Sequence, residues 1–313
     1  MYLNNLDFLD VAASLGLESK LAVVCHDAGA ANVIFAWLRV AAEQRPQMAE
    51  QWQIVLSGPA LRLWAEQPIA GVSMMSDLAL HGVQVVLTGT GWASDVEHDA
   101  RKLAKVRGIH SIAVIDHWVN YPMRFERNGQ TVLPDQIVVT DPYAAVEARR
   151  CFPTLPIVQW PNYYLQESVK RIRPLQPDDD GILYLLEPIR ADWAGTRGGE
   201  FEALDFFVDN LRYLSNLSSF TLRLRPHPSD PPGKYDQWIK QHAGLHVQLD
   251  DADSLSEAIG QARWVVGAET FAMVVALAAG RQVVSTLPPW AHRCRLPHEG
   301  IIHLRDLLPT GIV

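Results

Sequence analysis

Short, continuous apolar runs recur roughly every 25 to 30 residues along this chain, each closed by a small or polar turn. In the first half they fall at 21–25, 52–56, 83–87, 111–115, 136–139 and 157–160. Helical patterns follow the first (from the turn His26-Asp27-Ala28-Gly29 to about residue 42), the third (94–107) and the fifth (142–149). Buried strands alternating with helices predict a parallel, Rossmann-like sheet. The stretch 171–181 is polar, carries two prolines and lacks periodicity, which marks a linker. The pattern then restarts. Strands are expected at 182–186, 220–224, 245–248, 263–266 and 282–285, with helices at 200–214, 235–241, 255–261 and 269–279. The expected fold class is therefore α/β, with two Rossmann-like domains facing a central cleft. Residues 1–170 form the first domain, 171–181 the linker and 182–313 the second.

With 313 residues, 48% of them hydrophobic, the chain exceeds what one core usually holds. Its net charge of −8 and lack of a basic block argue against a nucleic-acid surface. Any anionic ligand has to be held locally, by a few Arg or His groups and helix N-termini. Cys25, Cys151 and Cys294 are widely spaced, show no metal pattern and suggest a reducing compartment. The N-terminus does not read as a signal peptide, and no apolar run reaches about 18 residues. A cytoplasmic protein without a transmembrane segment, metal or cofactor is expected; the oligomeric state is left open.

Two motifs stand at strand ends of the second half. Arg225-Pro226-His227-Pro228 follows the strand at 220–224. Prolines on both sides hold the His227 backbone extended, so its imidazole is fixed just past a strand end. It can donate to a phosphate, and Arg225 can add a bidentate clamp. Gly267-Ala268-Glu269-Thr270 opens the helix at 269–279. Gly267 permits a tight turn, Thr270 suits a cap, and free N–H groups at such a helix start attract phosphate.

This pairing resembles the second domain of GT-B nucleotide-sugar glycosyltransferases, in particular bacterial sialyltransferases and Kdo transferases. In those families the His-Pro histidine contacts the nucleotide phosphate, and a later Ser/Thr pair also binds it. The resemblance implies these roles for His227 and Thr270. The second motif departs from the pattern by carrying Glu269; as in many GT-B enzymes, an acidic residue there would hold a ribose hydroxyl. The resemblance extends over nearly the whole chain as a pattern of elements.

In the first half, Cys25-His26-Asp27-Ala28-Gly29 follows the first strand. Asp27 or His26 can deprotonate an acceptor hydroxyl, and Gly29 allows close backbone approach. Asp27 equally suits a helix cap. Thr88-Gly89-Thr90-Gly91-Trp92 suits an oxyanion or sugar cradle; it is neither a Walker A loop nor a dinucleotide fingerprint. Asp95, Glu97 and Asp99 read as a solvated acidic face at a helix start. Asp116-His117-Trp118-Val119-Asn120-Tyr121 follows the fourth strand. Asp116 with His117 can form an acid/base pair, and Trp118 and Tyr121 can stack on a sugar. Arg124 is a candidate for an anionic acceptor, as are Arg293 and Arg295. His98 and His110 read as surface residues.

The function expected is transfer of a sugar from a nucleotide donor to a hydroxyl acceptor on a glycan or small molecule. The sialyltransferase resemblance implies a CMP-activated acidic sugar as donor. Alternatives are a non-hydrolysing nucleotide-sugar epimerase, a polyol-phosphate transferase, and a non-catalytic nucleotide- or sugar-binding protein.

Overall fold

A computed structural model of the chain describes residues 18–177, 179–189, 193, 196–214 and 220–309. The chain divides into two compact units, Met1–Tyr164 and Leu165–Val313.

The first unit runs β1 (Leu21–Cys25), α1 (Ala28–Gln44), β2 (Trp52–Leu56), α2 (Gly58–Glu66), β3 (Ser73–Met74), β4 (Val85–Thr88), α3 (Val96–Arg107) and β5 (His110–Val114). A small hairpin, β6 (Glu126–Arg127) and β7 (Gln130–Thr131), precedes β8 (Gln136–Val139), α4 (Pro142–Cys151) and β9 (Ile157–Gln159). The helix α5 (Tyr163–Lys170) carries the chain across the division. The seven-stranded sheet has the order β3-β2-β1-β4-β5-β8-β9, parallel throughout.

Successive β1 residues feed opposite faces, which is why the run is apolar at every position. Leu21, Val23 and Cys25 pack with Trp37, Trp52 and Trp160, while Ala22 and Val24 pack with Ala100 and Ala104 of α3. Burying each large side chain of this kind is worth about 1.5–3 kcal/mol. The strand order reverses between β1 and β4, where Val24 pairs with Thr88. In such sheets ligands bind beyond the carboxyl ends at this reversal.

The second unit contains β10 (Ile182–Leu185), α6 (Gly199–Asp209), β11 (Leu222–Arg225), α7 (Asp236–Gln241), β12 (Val247–Leu249), α8 (Leu255–Gly260), β13 (Trp264–Gly267), α9 (Phe271–Ala278), β14 (Gln282–Ser285) and β15 (Ile301–His303). Its sheet order is β12-β11-β10-β13-β14-β15, again parallel, with the reversal between β10 and β13. The run 171–181 lies inside this unit, where Arg173 pairs with Asp179 at 2.6 Å. Among the described residues no helix is long and apolar enough to cross a membrane.

Candidate functional site

The β1–β4 reversal of the first unit is pinned by a buried carboxylate. Glu97, in the first turn of α3, is 0% exposed. Its Oε1 accepts the backbone N–H of His26 at 3.0 Å and its Oε2 that of Gly91 at 2.7 Å. One side chain thus joins the turn after β1 to the turn after β4. Burial pushes its carboxyl up to about 7, with the two N–H donors pulling the other way. One turn on, Arg101 is fully buried and donates to Thr88 Oγ1 at 3.1 Å and Gly89 O at 3.0 Å. Burial lowers its guanidinium to about 10. The expected solvated face is therefore internal at Glu97, and His98, read as a surface residue, is 4% exposed.

Above this pin, His26 Nδ1 lies 2.7 Å from Asp27 Oδ1. The carboxylate accepts, so the ring proton sits on Nδ1 and Nε2 carries the lone pair. That is the polarity of a base. Asp27 Oδ2 packs against Gly91, where an added Cβ would overlap it. Asp27 stands at the N-cap position of α1 in extended backbone but makes no side-chain bond to the helix, which leaves its carboxylate to His26. Asp116 packs the same way on Gly29, and its Oδ1 pairs with Arg124 at 3.1 Å. Arg124 also donates to Thr90 Oγ1 at 3.2 Å and Val119 O at 3.1 Å. Structure thus gathers His26, Asp27, Gly29, Thr88, Gly89, Thr90, Gly91, Asp116 and Arg124 at one sheet edge. Arg124 serves there as a partner of Asp116.

The two aromatic candidates are held elsewhere. Tyr121 is 1% exposed in the core with Phe125 and Ile137. Trp118 donates Nε1–H to Asp141 Oδ2 at 2.8 Å, and Asp141 caps α4 through Ala144 N. The His117 ring lies 5.3 Å from that of Trp118. The indole next to the site is Trp92, which is 50% exposed.

In the second unit, His227 is exposed beyond the end of β11. Its Nδ1 receives the backbone N–H of Ser229 at 3.2 Å, with Ser229 Oγ at 2.7 Å. A backbone N–H can only donate, so Nδ1 is the acceptor and the ring proton sits on Nε2. His227 therefore presents a donor, the opposite polarity to His26. Its loop is tied down by Asp230, which accepts from His227 N at 3.0 Å, Tyr235 Oη at 3.0 Å and Lys234 Nζ at 2.7 Å. Burial pushes the Asp230 carboxyl up, but these donors outweigh it and hold it below its ordinary value. Lys234 also pairs with Glu200 of α6 at 2.6 Å.

Arg225 is held by Asp250 and donates to Ala252 O at 3.1 Å. The same carboxylate takes Arg223 at 2.5 Å, with its side chain fully buried. Glu269 is gripped by Arg295 and lies 3.0 Å from His292 Nε2. Its backbone N–H goes to Glu187 at 2.6 Å. Burial raises the Glu187 carboxyl to about 7. Gly267 is needed because a Cβ would come 3.0 Å from Leu185 O. Thr270 caps α9 in extended backbone without a side-chain bond to the helix. Among the described residues, no group of three or more His, Cys, Asp or Glu is arranged to hold a metal ion.

Sequence reasoning missed Glu97, Arg101, Glu187, Asp230 and Asp250. The i,i+4 spacing of Glu97 and Arg101, in register with Ala100 and Ala104, was the one available signal for the first pair.

No protein-family model matches the sequence, and no curated protein matches it. Solved structures do match. A UDP-GlcNAc 2-epimerase from Neisseria meningitidis bound to UDP-GlcNAc superposes with TM-score 0.62 at 11% identity, covering 92% of this chain and 89% of that one. The enzyme of the same description from Methanocaldococcus jannaschii gives TM-score 0.56 at 10% identity, over 85% and 83%. A UDP-N-acetylglucosamine 2-epimerase from Rickettsia bellii gives 0.55 at 12%, over 85% and 78%. Likeness at these identities establishes the fold, two Rossmann-like domains of the GT-B kind. It does not extend to the sialyltransferase and Kdo transferase resemblance.

Proposed function

We propose that the protein acts on a nucleotide-sugar, and that it inverts a carbon of the donor sugar in the manner of a UDP-GlcNAc 2-epimerase. The fold match motivates the choice. The observation that carries it is the opposite polarity of the two histidines: His227 offers an Nε2–H donor, whereas His26, bonded to Asp27, offers a base. Inversion next to an anomeric carbon needs a base at C2 and a donor to the departing phosphate. A base takes the C2 proton as the C1–O bond breaks, the electron pair leaves with the nucleoside diphosphate, and a C1=C2 bond forms. Readdition of the diphosphate, with protonation from the other face, gives the epimer. His227 Nε2–H and the α9 N-terminus at Thr270 stabilise the leaving phosphate. Asp27, His26 and Asp116 are the candidates for proton transfer. This chemistry needs no redox cofactor and no metal.

Glycosyl transfer is the second reading, favoured by the same His26–Asp27 pair, which would deprotonate an acceptor hydroxyl. The first test is a thermal-shift titration with UDP, CMP, GDP and ADP on wild type and His227→Ala. A ligand at about 100 Kd adds roughly 2.7 kcal/mol of stability. A UDP shift that His227→Ala abolishes is expected. A shift with CMP alone would restore the acidic-sugar transferase reading, and no shift with any nucleotide would remove the nucleotide-sugar reading.

A further inference from the structure

The sequence nominated Trp118 and Tyr121 as sugar platforms, and the structure uses both elsewhere. The indole left at the first unit's site is Trp92. It directly follows Gly91, the residue against which Asp27 Oδ2 packs. It is 50% exposed, which is unusual for the largest apolar side chain. It is not loose: the Arg124 guanidinium lies 5.5 Å from the ring centroid. Arg124 is itself fixed by Asp116 and Thr90 at 3.1 and 3.2 Å. One cation thus links the indole to a carboxylate that is 19% exposed, and the Asp27 carboxylate beside it is 31% exposed. Asp27 Oδ2 accepts no hydrogen bond among the described residues.

We propose that Trp92 is the platform of a sugar subsite on the first unit, stacking on the C–H face of an uncharged pyranose whose hydroxyls donate to Asp27 and Asp116. A held indole gives flat apolar area at little entropic cost, and ionised carboxylates are strong acceptors for vicinal hydroxyls. The charge selects the class. Arg124 is paired with Asp116 and Arg127 with Asp95, so neither guanidinium beside Gly91 and Trp92 is left to pair with the carboxylate of an acidic sugar, and a neutral ring is the class that fits. The inference deepens the nucleotide-sugar reading and rests on it for the choice of sugar, but its test needs no turnover.

The experiment is saturation-transfer-difference NMR with free N-acetylglucosamine, glucose and N-acetylneuraminic acid, on wild type, Trp92→Ala and Trp92→Phe, with UDP titrated in parallel. The neutral sugars should bind wild type, and N-acetylneuraminic acid should bind more weakly. Trp92→Ala should weaken neutral-sugar binding by about tenfold, while Trp92→Phe retains most of it. The melting temperature and UDP affinity should be unchanged in both variants, because Trp92 is half exposed and UDP is assigned to the second unit. Wild-type protein that takes up no sugar overturns the proposal. So does unaltered sugar binding in Trp92→Ala, or N-acetylneuraminic acid binding as tightly as N-acetylglucosamine. Sugar binding without any UDP binding would strike the nucleotide reading and leave the subsite standing.

Discussion

The two sheet reversals share strand order yet differ in what stands on them. Beyond β1 and β4 lie Asp27, Glu97 and Asp116, with a histidine whose Nε2 is an acceptor and packs against Gly58. Beyond β10, β11 and β13 lie a histidine whose outer nitrogen is a donor and a helix start whose N-cap residue, Thr270, makes no side-chain bond to it. Glu269 and Asp230 of that second edge are each held by a cation. Each edge is pinned by a glutamate whose carboxyl is pushed up to about 7, the buried Glu97 in one and the half-buried Glu187 in the other. The fold provides the place, and the residue that meets Nδ1 sets the polarity. Asp27 makes one imidazole a base, and the Ser229 N–H makes the other a donor.

The largest effect is expected where the second edge rests on buried charge. Asp250→Ala removes the partner of both Arg223 and Arg225. A loss of about 3–5 kcal/mol in denaturant unfolding is expected; a loss under about 1 kcal/mol would show that β11 does not depend on this carboxylate.

The pins come next. Glu97 titrates about 7 in the folded state against 4.5 ordinarily. The native state therefore keeps a proton that the unfolded state loses, and stability is full below pH 4.5 and falls as pH rises toward 7. The contribution is on the order of 3 kcal/mol. Glu187 acts with the same sign. Unfolding of Glu97→Gln across that window should show a shallower slope than wild type; an equal slope would mean that Glu97 is ionised throughout.

Close packing at the first edge gives a smaller effect. Gly29→Ala drives a Cβ into Asp116 and should cost about 1–3 kcal/mol. In an Asp116→Ala background the same change should become neutral or stabilising, since Ala favours the helix by about 1 kcal/mol over Gly. A cost that persists there would place the clash elsewhere.

The smallest change in stability is expected at His227. It is exposed, so His227→Ala should melt within about 0.5 kcal/mol of wild type while losing the nucleotide shift. A large stability loss would make His227 structural.

Most strands were legible because a run covered on both faces is apolar at every position, as in β1 and β13. The strands β3, β6 and β7, of two residues each, were not, since they are too short to show a period; β15 was missed as well, although β9 and β12, also of three residues, were read. At the site, His26, Asp27, Gly29, Asp116 and Arg124 were found because turns after strands concentrate chemistry. Glu97 was hidden by an adequate alternative: an acidic residue between Asp95 and Asp99 at a helix start satisfies the dipole without being buried. The partners of Arg225 and Glu269 could not be read at all, because Asp250 and Arg295 reach them across long sequence separations.

The most direct test of the central claim is to incubate the protein with UDP-N-acetylglucosamine alone in deuterium oxide and follow the sugar C2 position by proton NMR. Deuterium at C2 together with signals of the C2 epimer is predicted, reduced by about a hundredfold or more in His227→Ala. A wild-type sample showing neither deuterium nor epimer would contradict it.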